Sequence, residues 1–123
     1  MLKKRILVVD DDEGIRMVVR LVLGKAGFHV SEASGGAEAL SRLAAGPSPA
    51  YDLVLLDQNM PDMSGRETLT QVRQQAPAMK VIMLSGGVEE ELWDEVNART
   101  VRFLPKPFQN HELVQVVQEA LDE

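Results

Sequence analysis

The chain has 123 residues, of which 45% are hydrophobic and 26% charged, a length and composition typical of one globular domain with its own core. Its formal net charge of −6 is a poor electrostatic match for a phosphate backbone, so direct binding of nucleic acid is not expected. It contains no cysteine, which excludes disulfides, thiolate metal sites and a cysteine nucleophile.

The sequence predicts a cytoplasmic protein without membrane insertion. No apolar run approaches the roughly 18–20 residues of a transmembrane helix. The N-terminal stretch MLKKRILVVDDD has only four consecutive apolar residues before its aspartates. A secretory signal needs an apolar segment of roughly 7–15 residues, so we expect none here.

Five short apolar stretches alternate with five longer amphipathic ones. Unbroken apolar runs at 6–9, 53–56 and 81–84 are typical of parallel strands covered on both faces. The stretches at 28–33 and 101–104 mix apolar and polar residues, which favours strands at the edges of a sheet. The chain therefore alternates strand and helix five times.

The helices are predicted from apolar periodicity and from their ends. After the first strand, apolar residues at i, i+3, i+4 and i+7 share one helical face: Ile15, Val18, Val19 and Val22. The same pattern recurs in the C-terminal segment 113–121. Ser64 and Glu67 form an S-x-x-E capping box that opens the third helix. Gly27 and Gly46 stand where helices should stop.

This order of elements predicts an α/β fold with helices on both faces of a parallel sheet. Right-handed crossovers and five strands favour a flavodoxin-like (βα)5 three-layer sandwich with the strand order 2-1-3-4-5. In such sheets, ligands bind beyond the carboxyl ends of the strands, at the switch between strands 1 and 3. The residues that end the strands are therefore the first candidates for a functional site.

Polar residues with related chemistry end four of the five predicted strands. They are Asp10, Asp11 and Asp12 after strand 1, Asp57 after strand 3, Ser85 after strand 4 and Lys106 after strand 5. Several carboxylates suit Mg²⁺, which prefers oxygen ligands and often shares them with phosphate. A cation between Asp57 and two of the first three aspartates would explain why adjacent carboxylates follow a buried strand.

Each of these residues also has a simpler interpretation. The run 10–12 could cap a helix and interact with its dipole, worth about 0.5–2 kcal/mol, and this alone could explain Asp12. Ser85, before Gly86 and Gly87, could cap the acidic fourth helix, and Lys106 could be a solvated surface charge. The arrival of four separate elements at one edge of the sheet favours a site.

Four sequence blocks resemble the receiver domain of two-component response regulators. They are VVDD at 8–11, VLLDQNMPDMSG at 54–65, VIMLSGG at 81–87 and LPKPF at 104–108. They occur in the family's order with fitting intervals. The resemblance covers essentially the whole chain and implies a single receiver domain over residues 1–123.

The resemblance implies a phosphoacceptor and a metal site. Asp57 would receive a phosphoryl group from the phosphohistidine of a sensor histidine kinase or histidine phosphotransfer domain. Asp10, Asp11 and Asp57, with the backbone carbonyl of Asn59, would hold Mg²⁺, or Mn²⁺ in its place. The domain would catalyse its own phosphorylation and dephosphorylation, and it would act as a signalling domain rather than as an enzyme on other substrates.

The resemblance also implies a switch. Lys106 would contact the phosphoryl oxygens, and the hydroxyl of Ser85 would move inward to them. Phe103 matches the aromatic position that follows the hydroxyl; packing with Val101 at alternate positions of the strand is the other explanation. The output surface would lie around helix 4, strand 5 and helix 5 and would act on a downstream effector protein or a fused output domain. Trp93 in helix 4 is expected to pack in the core or to anchor a partner.

Three other functions stay open from the residues alone. A phosphatase of the haloacid-dehalogenase type also uses a strand-end aspartate with Mg²⁺, and Asp10-x-Asp12 is similar to its first motif. That class needs a cap or substrate domain, for which this chain has no room. A receiver-like interaction module without phosphorylation is the second alternative. A flavodoxin-type carrier of flavin mononucleotide is the third, but its phosphate loop would need hydroxyls and glycines in place of these carboxylates.

Overall fold

The sheet is the centre of the structure. The computed structural model describes residues 3–45, 51–85 and 101–122. The strands are β1 (Arg5–Val9), β2 (His29–Ala33), β3 (Leu53–Asp57), β4 (Lys80–Ser85) and β5 (Val101–Pro105). All pairings are parallel and the strand order is β2-β1-β3-β4-β5. The predicted α/β, flavodoxin-like topology with order 2-1-3-4-5 is confirmed.

Four helices lie in the described parts of the chain. They are α1 (Glu13–Lys25), α2 (Gly36–Ala44), α3 (Gly65–Gln75) and α4 (Asn110–Leu121). The helix α4 is the fifth, C-terminal helix of the sequence prediction. The predicted fourth helix with Trp93, and the glycines at 86–87, lie outside the described residues. None of the described helices is long and apolar enough to cross a membrane.

Buried side chains of the strands alternate between two clusters, as the two-residue repeat of a strand requires. In β3, Val54 and Leu56 face α2 and α3, whereas Leu53 and Leu55 face α1 and α4. The α2/α3 cluster includes Leu7, Val9, Val54, Leu56, Leu69, Val72, Met83 and Val101. The α1/α4 cluster includes Ile6, Val8, Val19, Leu23, Leu53, Leu55, Leu84, Leu113 and Val117. The central strands are therefore buried on both faces, which is why their sequences are unbroken apolar runs.

The apolar face of α1 is wider than its buried face. Val19 and Leu23 are buried, but Val18 is 42% exposed and lies beside Met17 (46%) and Leu21 (55%). Val18 thus belongs to the apolar face predicted from the sequence but lies at its exposed side. Successive helical residues are about 100° apart, so a helix docked along Val19 and Leu23 turns its neighbouring apolar residues toward solvent.

The predicted helix ends agree with the structure where it describes them. Gly27 follows α1 with a φ of 98°, a left-handed conformation that glycine adopts without strain. The Ser64 hydroxyl accepts the backbone N–H of Glu67 at 3.1 Å and caps α3. The helix α2 ends at Ala44, and the predicted stop at Gly46 lies outside the described residues.

The start of α2 is capped from a distant loop. Its N-cap residue, Gly35, has no side chain to offer. The Asp62 carboxylate accepts the backbone N–H groups of Gly36 (3.3 Å) and Ala37 (3.0 Å) instead. These bonds, that from Ala37 first, hold the pKa of Asp62 below its usual value. A Cβ on Gly35 would lie 2.7 Å from Asp62 Oδ1, so a larger residue there would displace the capping carboxylate.

Replacing Asp62 with alanine is expected to lower the free energy of unfolding by about 1 kcal/mol at pH 7, the usual cost of losing a helix cap. Because the folded pKa is depressed, the stabilisation is present above the unfolded pKa and is lost as the pH falls below about 4. Urea unfolding between pH 7 and pH 3 measures both effects. The control Asp62→Asn keeps an oxygen acceptor and should lose less. An Asp62→Ala deficit that is unchanged at pH 3 would contradict the role of the charge.

Candidate functional site

The carboxyl ends of β1, β3, β4 and β5 bring the predicted residues to one edge of the sheet. Asp10 directly follows β1, and its N–H donates to the carbonyl of Ala33 at 3.1 Å. Asp57 and Ser85 are the last residues of β3 and β4. Lys106 follows β5, and its N–H donates to the Ser85 carbonyl at 2.6 Å. The sheet register therefore creates this rim, as the order of the strands predicts.

Lys106 joins the two buried aspartates of the rim. Its Nζ lies 3.0 Å from Asp10 Oδ2 and 3.0 Å from Asp57 Oδ1. Asp10 is 0% and Asp57 5% exposed, so two negative charges share a site largely withdrawn from water. The ammonium offsets a repulsion that would otherwise be costly in such surroundings. The interpretation of Lys106 as a solvated surface charge was wrong.

The pKa values at this pair show competing influences. Burial raises the pKa of the Asp57 carboxyl above its usual value; the hydrogen bond from Lys106 opposes it, and the Asp10 charge adds to the rise. A backbone hydrogen bond from Asn59 lowers the same pKa. Burial lowers the pKa of Lys106, but its hydrogen bonds to Asp57 and Asp10 outweigh burial and leave that pKa raised. The ammonium form of Lys106 is thus favoured by its contacts. Burial and the neighbouring Asp10 charge disfavour the ionised form of Asp57.

Asp11 completes a group of carboxylates that could hold a cation. One oxygen from each of Asp10, Asp11 and Asp57 lies within 4.8 Å of the others. Three converging carboxylate oxygens, with Asp11 open to solvent, fit a hard divalent ion such as Mg²⁺ that retains water ligands. Asn59 is exposed beside the group, and the part of its carbonyl in metal binding stays a prediction.

Asp12 has a separate task. Its carboxylate caps α1, accepting the N–H groups of Gly14 at 2.8 Å and Ile15 at 3.3 Å. The Asp12 N–H in turn donates to Asp10 Oδ1 at 2.9 Å. The suggestion that Asp12 serves as a helix cap is confirmed, and its own N–H helps to orient the first carboxylate of the cluster.

Arg16 supports the end of β1, a role that the sequence analysis missed. Its guanidinium donates to the backbone carbonyl of Asp10 at 2.6 Å and pairs with Glu32 at 3.2 Å. Glu32 also pairs with Arg20 at 3.0 Å. Arginine holds two acceptors at fixed angles, so this contact fixes the peptide that carries the buried carboxylate. No local motif indicates this role, because Asp10 follows β1 and Glu32 lies in β2, whereas Arg16 lies in α1.

Ser85 and Phe103 lie beside the carboxylates. Ser85 is 1% exposed, and its hydroxyl donates to the side-chain carbonyl of Gln58, which is 5% exposed. Phe103 is half-buried and packs against the α2/α3 cluster. The structure therefore supplies the packing that was one explanation for Phe103. The burial of Gln58 and its contact with Ser85 were not predicted. The sequence Asp57-Gln58-Asn59 does not indicate which of the two amides is buried.

The peptide bond between Lys106 and Pro107, directly after the rim lysine, is cis. A family model described as the response regulator receiver domain matches residues 6–118. The chain belongs to this family. The receiver domain is a signalling domain of two-component systems, so the resemblance drawn from the four sequence blocks is confirmed.

Similar proteins include short and long regulators. The receiver domain is 35% identical over 120 residues to the chemotaxis protein CheY of Bacillus subtilis, covering 96% of this chain and 98% of CheY. It is 34% identical over 110 residues to the transcriptional regulatory protein ResD of Bacillus subtilis, covering 89% of this chain but 45% of ResD. Such domains thus occur nearly alone and as parts of longer proteins.

One solved structure bears on the metal site. The response regulator protein TrrA from Thermotoga maritima, in complex with Mg²⁺ and BeF, matches the receiver domain with a TM-score of 0.79 and 32% identity. The match covers 95% of this chain and 98% of TrrA. Receiver domains bind Mg²⁺ at an acidic pocket, and the group Asp10, Asp11 and Asp57 fits such a pocket.

Proposed function

We propose that this receiver domain accepts a phosphoryl group on Asp57 from a phosphohistidine, in a reaction that depends on Mg²⁺. The donor is a sensor histidine kinase or a histidine phosphotransfer domain. The observation that carries the proposal is the arrangement of charges: Lys106 3.0 Å from both Asp10 and Asp57, with Asp11 completing a cluster of carboxylate oxygens. Lys106, together with a Mg²⁺ ion that these carboxylates would hold, would supply positive charge to both the aspartate nucleophile and the incoming phosphate.

The chemistry follows from these groups. The Asp57 carboxylate attacks phosphorus, the P–N bond to the donor imidazole breaks, and the imidazole retains the electron pair and takes up a proton. An acyl phosphate results, and attack by water later returns Asp57 and inorganic phosphate. Asp10, Asp11, Asp57 and the Asn59 carbonyl would hold Mg²⁺, which would supply positive charge for the phosphoryl transfer. Lys106 adds a point charge for the phosphoryl oxygens.

The signal is proposed to leave through Ser85 and Phe103. The Ser85 hydroxyl can donate to a phosphoryl oxygen only after that oxygen is present, so its movement reports phosphorylation. Phe103 is half-buried on β5, where a change in packing can reach the surface around the predicted fourth helix, β5 and α4. A downstream effector protein or a fused output domain would bind there. The cytoplasmic location stays a prediction of the sequence.

Membership of the receiver family removes the phosphatase and the flavin carrier, which belong to other families. An experiment distinguishes the proposed phosphoacceptor from an interaction module that is never phosphorylated. Intact mass is measured after incubation with acetyl phosphate, with Mg²⁺ and with a chelator. We expect the mass of one phosphoryl group to be added only with Mg²⁺. If no mass is added and Mg²⁺ with beryllofluoride leaves the amide resonances of Ser85 and Lys106 unchanged, the proposal is wrong.

The phosphodonor is expected to dock on the exposed apolar face of α1, formed by Met17, Val18 and Leu21. Among the residues that the structure describes, these are the large hydrophobic side chains that are exposed, and such a patch is typical of a binding surface. The helix begins at the acidic rim, so a partner that presents a phosphohistidine to Asp57 must cover its first turns. With a rise of about 1.5 Å per residue, Met17 is about 6 Å along the helix from Glu13.

Replacing Leu21 with glutamate is therefore expected to slow transfer from a phosphohistidine donor about tenfold or more, because a charge replaces an apolar contact at the interface. Uptake from acetyl phosphate should be unchanged, since that donor needs no docking surface. The matched control is Gln74→Glu, which adds the same charge at an exposed position near the far end of α3. Equal loss with both donors would show that Leu21 acts on the site itself instead.

A further inference from the structure

Gln58 is a buried amide placed beside the switch hydroxyl. The Ser85 hydroxyl donates to Gln58 Oε1, and the two residues are 1% and 5% exposed. Gln58 is two residues beyond Leu56, and Ser85 is two residues beyond Met83, and both of these apolar residues belong to the α2/α3 cluster. By strand alternation the hydrogen bond lies on that face of the sheet.

The main chain of Gln58 is fixed from two sides. Its N–H donates to the carbonyl of Leu84 at 3.0 Å, and its carbonyl accepts the N–H of Gly65 at 2.9 Å. The first bond joins it to β4 and the second to the start of α3. A Cβ on Gly65 would lie 2.8 Å from Gln58 Cα, so the helix packs closely on this residue. Gln58 is therefore a rigid base from which its side chain can hold another group.

The amide of Gln58 is not needed to fill the space. Within the described residues, its buried Nε2 has no hydrogen-bond partner, which is unfavourable for a group removed from water. An apolar side chain of similar length would fill the position without that cost. The hydrogen bond to Ser85 is the contact that distinguishes glutamine from such a residue.

A serine hydroxyl has one hydrogen to donate. When it donates to Gln58 Oε1, the same hydrogen cannot serve a phosphoryl oxygen on Asp57. We propose that Gln58 is a positioning residue that holds the Ser85 hydroxyl in the resting state and competes with the phosphoryl group for it. Gln58 thus sets how readily the phosphorylated state forms. This inference rests on the proposed function, since it assigns a regulator to the same switch.

The test is a double-mutant cycle. Its readout is the affinity for beryllofluoride at saturating Mg²⁺, measured from the amide resonances of the receiver domain. The variants are Gln58→Met, Ser85→Ala and the combination. Methionine keeps the length of the side chain and removes the acceptor. We expect Gln58→Met to tighten binding about three- to tenfold, the range that one net hydrogen bond supplies. In the Ser85→Ala background the same change should have no effect.

Two further variants serve as controls for the effect of side-chain shape and for the position of the substitution. Gln58→Leu repeats the removal of the acceptor with a different shape, in case methionine packs poorly. Gln74→Met makes the same change at an exposed position of α3 and should leave binding unchanged. An unchanged affinity in Gln58→Met and Gln58→Leu, or an equal change with and without Ser85, overturns the inference while the proposed function stands. Failure of the unmodified protein to bind beryllofluoride overturns both.

Discussion

Replacement of Asp57 with asparagine is expected to abolish phosphoryl uptake, with a loss of roughly a thousandfold or more in the rate from acetyl phosphate. The amide has nearly the same shape as the carboxylate but has no oxyanion to attack phosphorus. Asp57 is 5% exposed at the end of β3, where Lys106 Nζ lies 3.0 Å from its Oδ1. Intact mass over a time course with Mg²⁺ measures the loss.

The fold of Asp57→Asn should be retained, since the change removes one of two buried negative charges beside Lys106. Urea unfolding and the spread of amide resonances check this. The control is Asp52→Asn, a carboxylate that accepts the N–H of Arg5 at 2.7 Å away from the rim. Full uptake by Asp57→Asn would mean that another side chain is the acceptor, and peptide mapping would then identify it.

The second large effect is expected for Lys106→Ala. Removal of the ammonium leaves Asp10 and Asp57 facing each other without a counter-charge, so the free energy of unfolding should fall by about 2–4 kcal/mol in the absence of metal. Mg²⁺ should recover much of this loss, because the cation neutralises the same carboxylates and binds only the folded state. Urea unfolding with Mg²⁺ and with a chelator measures the difference.

The Lys106→Ala variant should still take up a phosphoryl group. The resulting conformational change should, however, spread poorly to β5 and α4. We expect smaller chemical-shift changes along β5 and α4 on addition of beryllofluoride, because Lys106 follows β5 directly and its N–H is bonded to the Ser85 carbonyl. The control Lys4→Ala removes a charge from an exposed position before β1. Shift changes equal to those of the unmodified protein would contradict the role of Lys106 in the switch.

The order of the strands in the sheet, and the edge at which the acidic residues lie, could be predicted from the sequence. Parallel strands place their carboxyl ends at one edge, so naming the residues that end β1, β3 and β4 also predicted that they would meet. The unbroken apolar runs carried the strand assignments, because a strand buried on both faces has no polar alternation. The role of each residue in phosphoryl transfer stays a prediction.

The contacts that were missed are long-range in sequence. Asp62 caps α2 by accepting the N–H of Ala37, which lies 25 residues earlier in the chain. Gln58 accepts the hydroxyl hydrogen of Ser85, at the end of the neighbouring strand β4. The exposure of Val18 could not be predicted, because periodicity gives the direction of an apolar face but not how far the packing extends around it. Such features depend on how elements dock, which single-sequence patterns do not record.

The ion pairs of Lys106 have a consequence for the protein in a living cell. A chain that provides its own cation for two buried carboxylates keeps its shape when the supply of divalent ions falls. Under the proposed Mg²⁺-dependent phosphoryl transfer, scarcity of magnesium would stop phosphorylation without unfolding the chain, and a folded chain is protected from proteases that attack unfolded ones. Recovery would need only the return of the ion, not new synthesis.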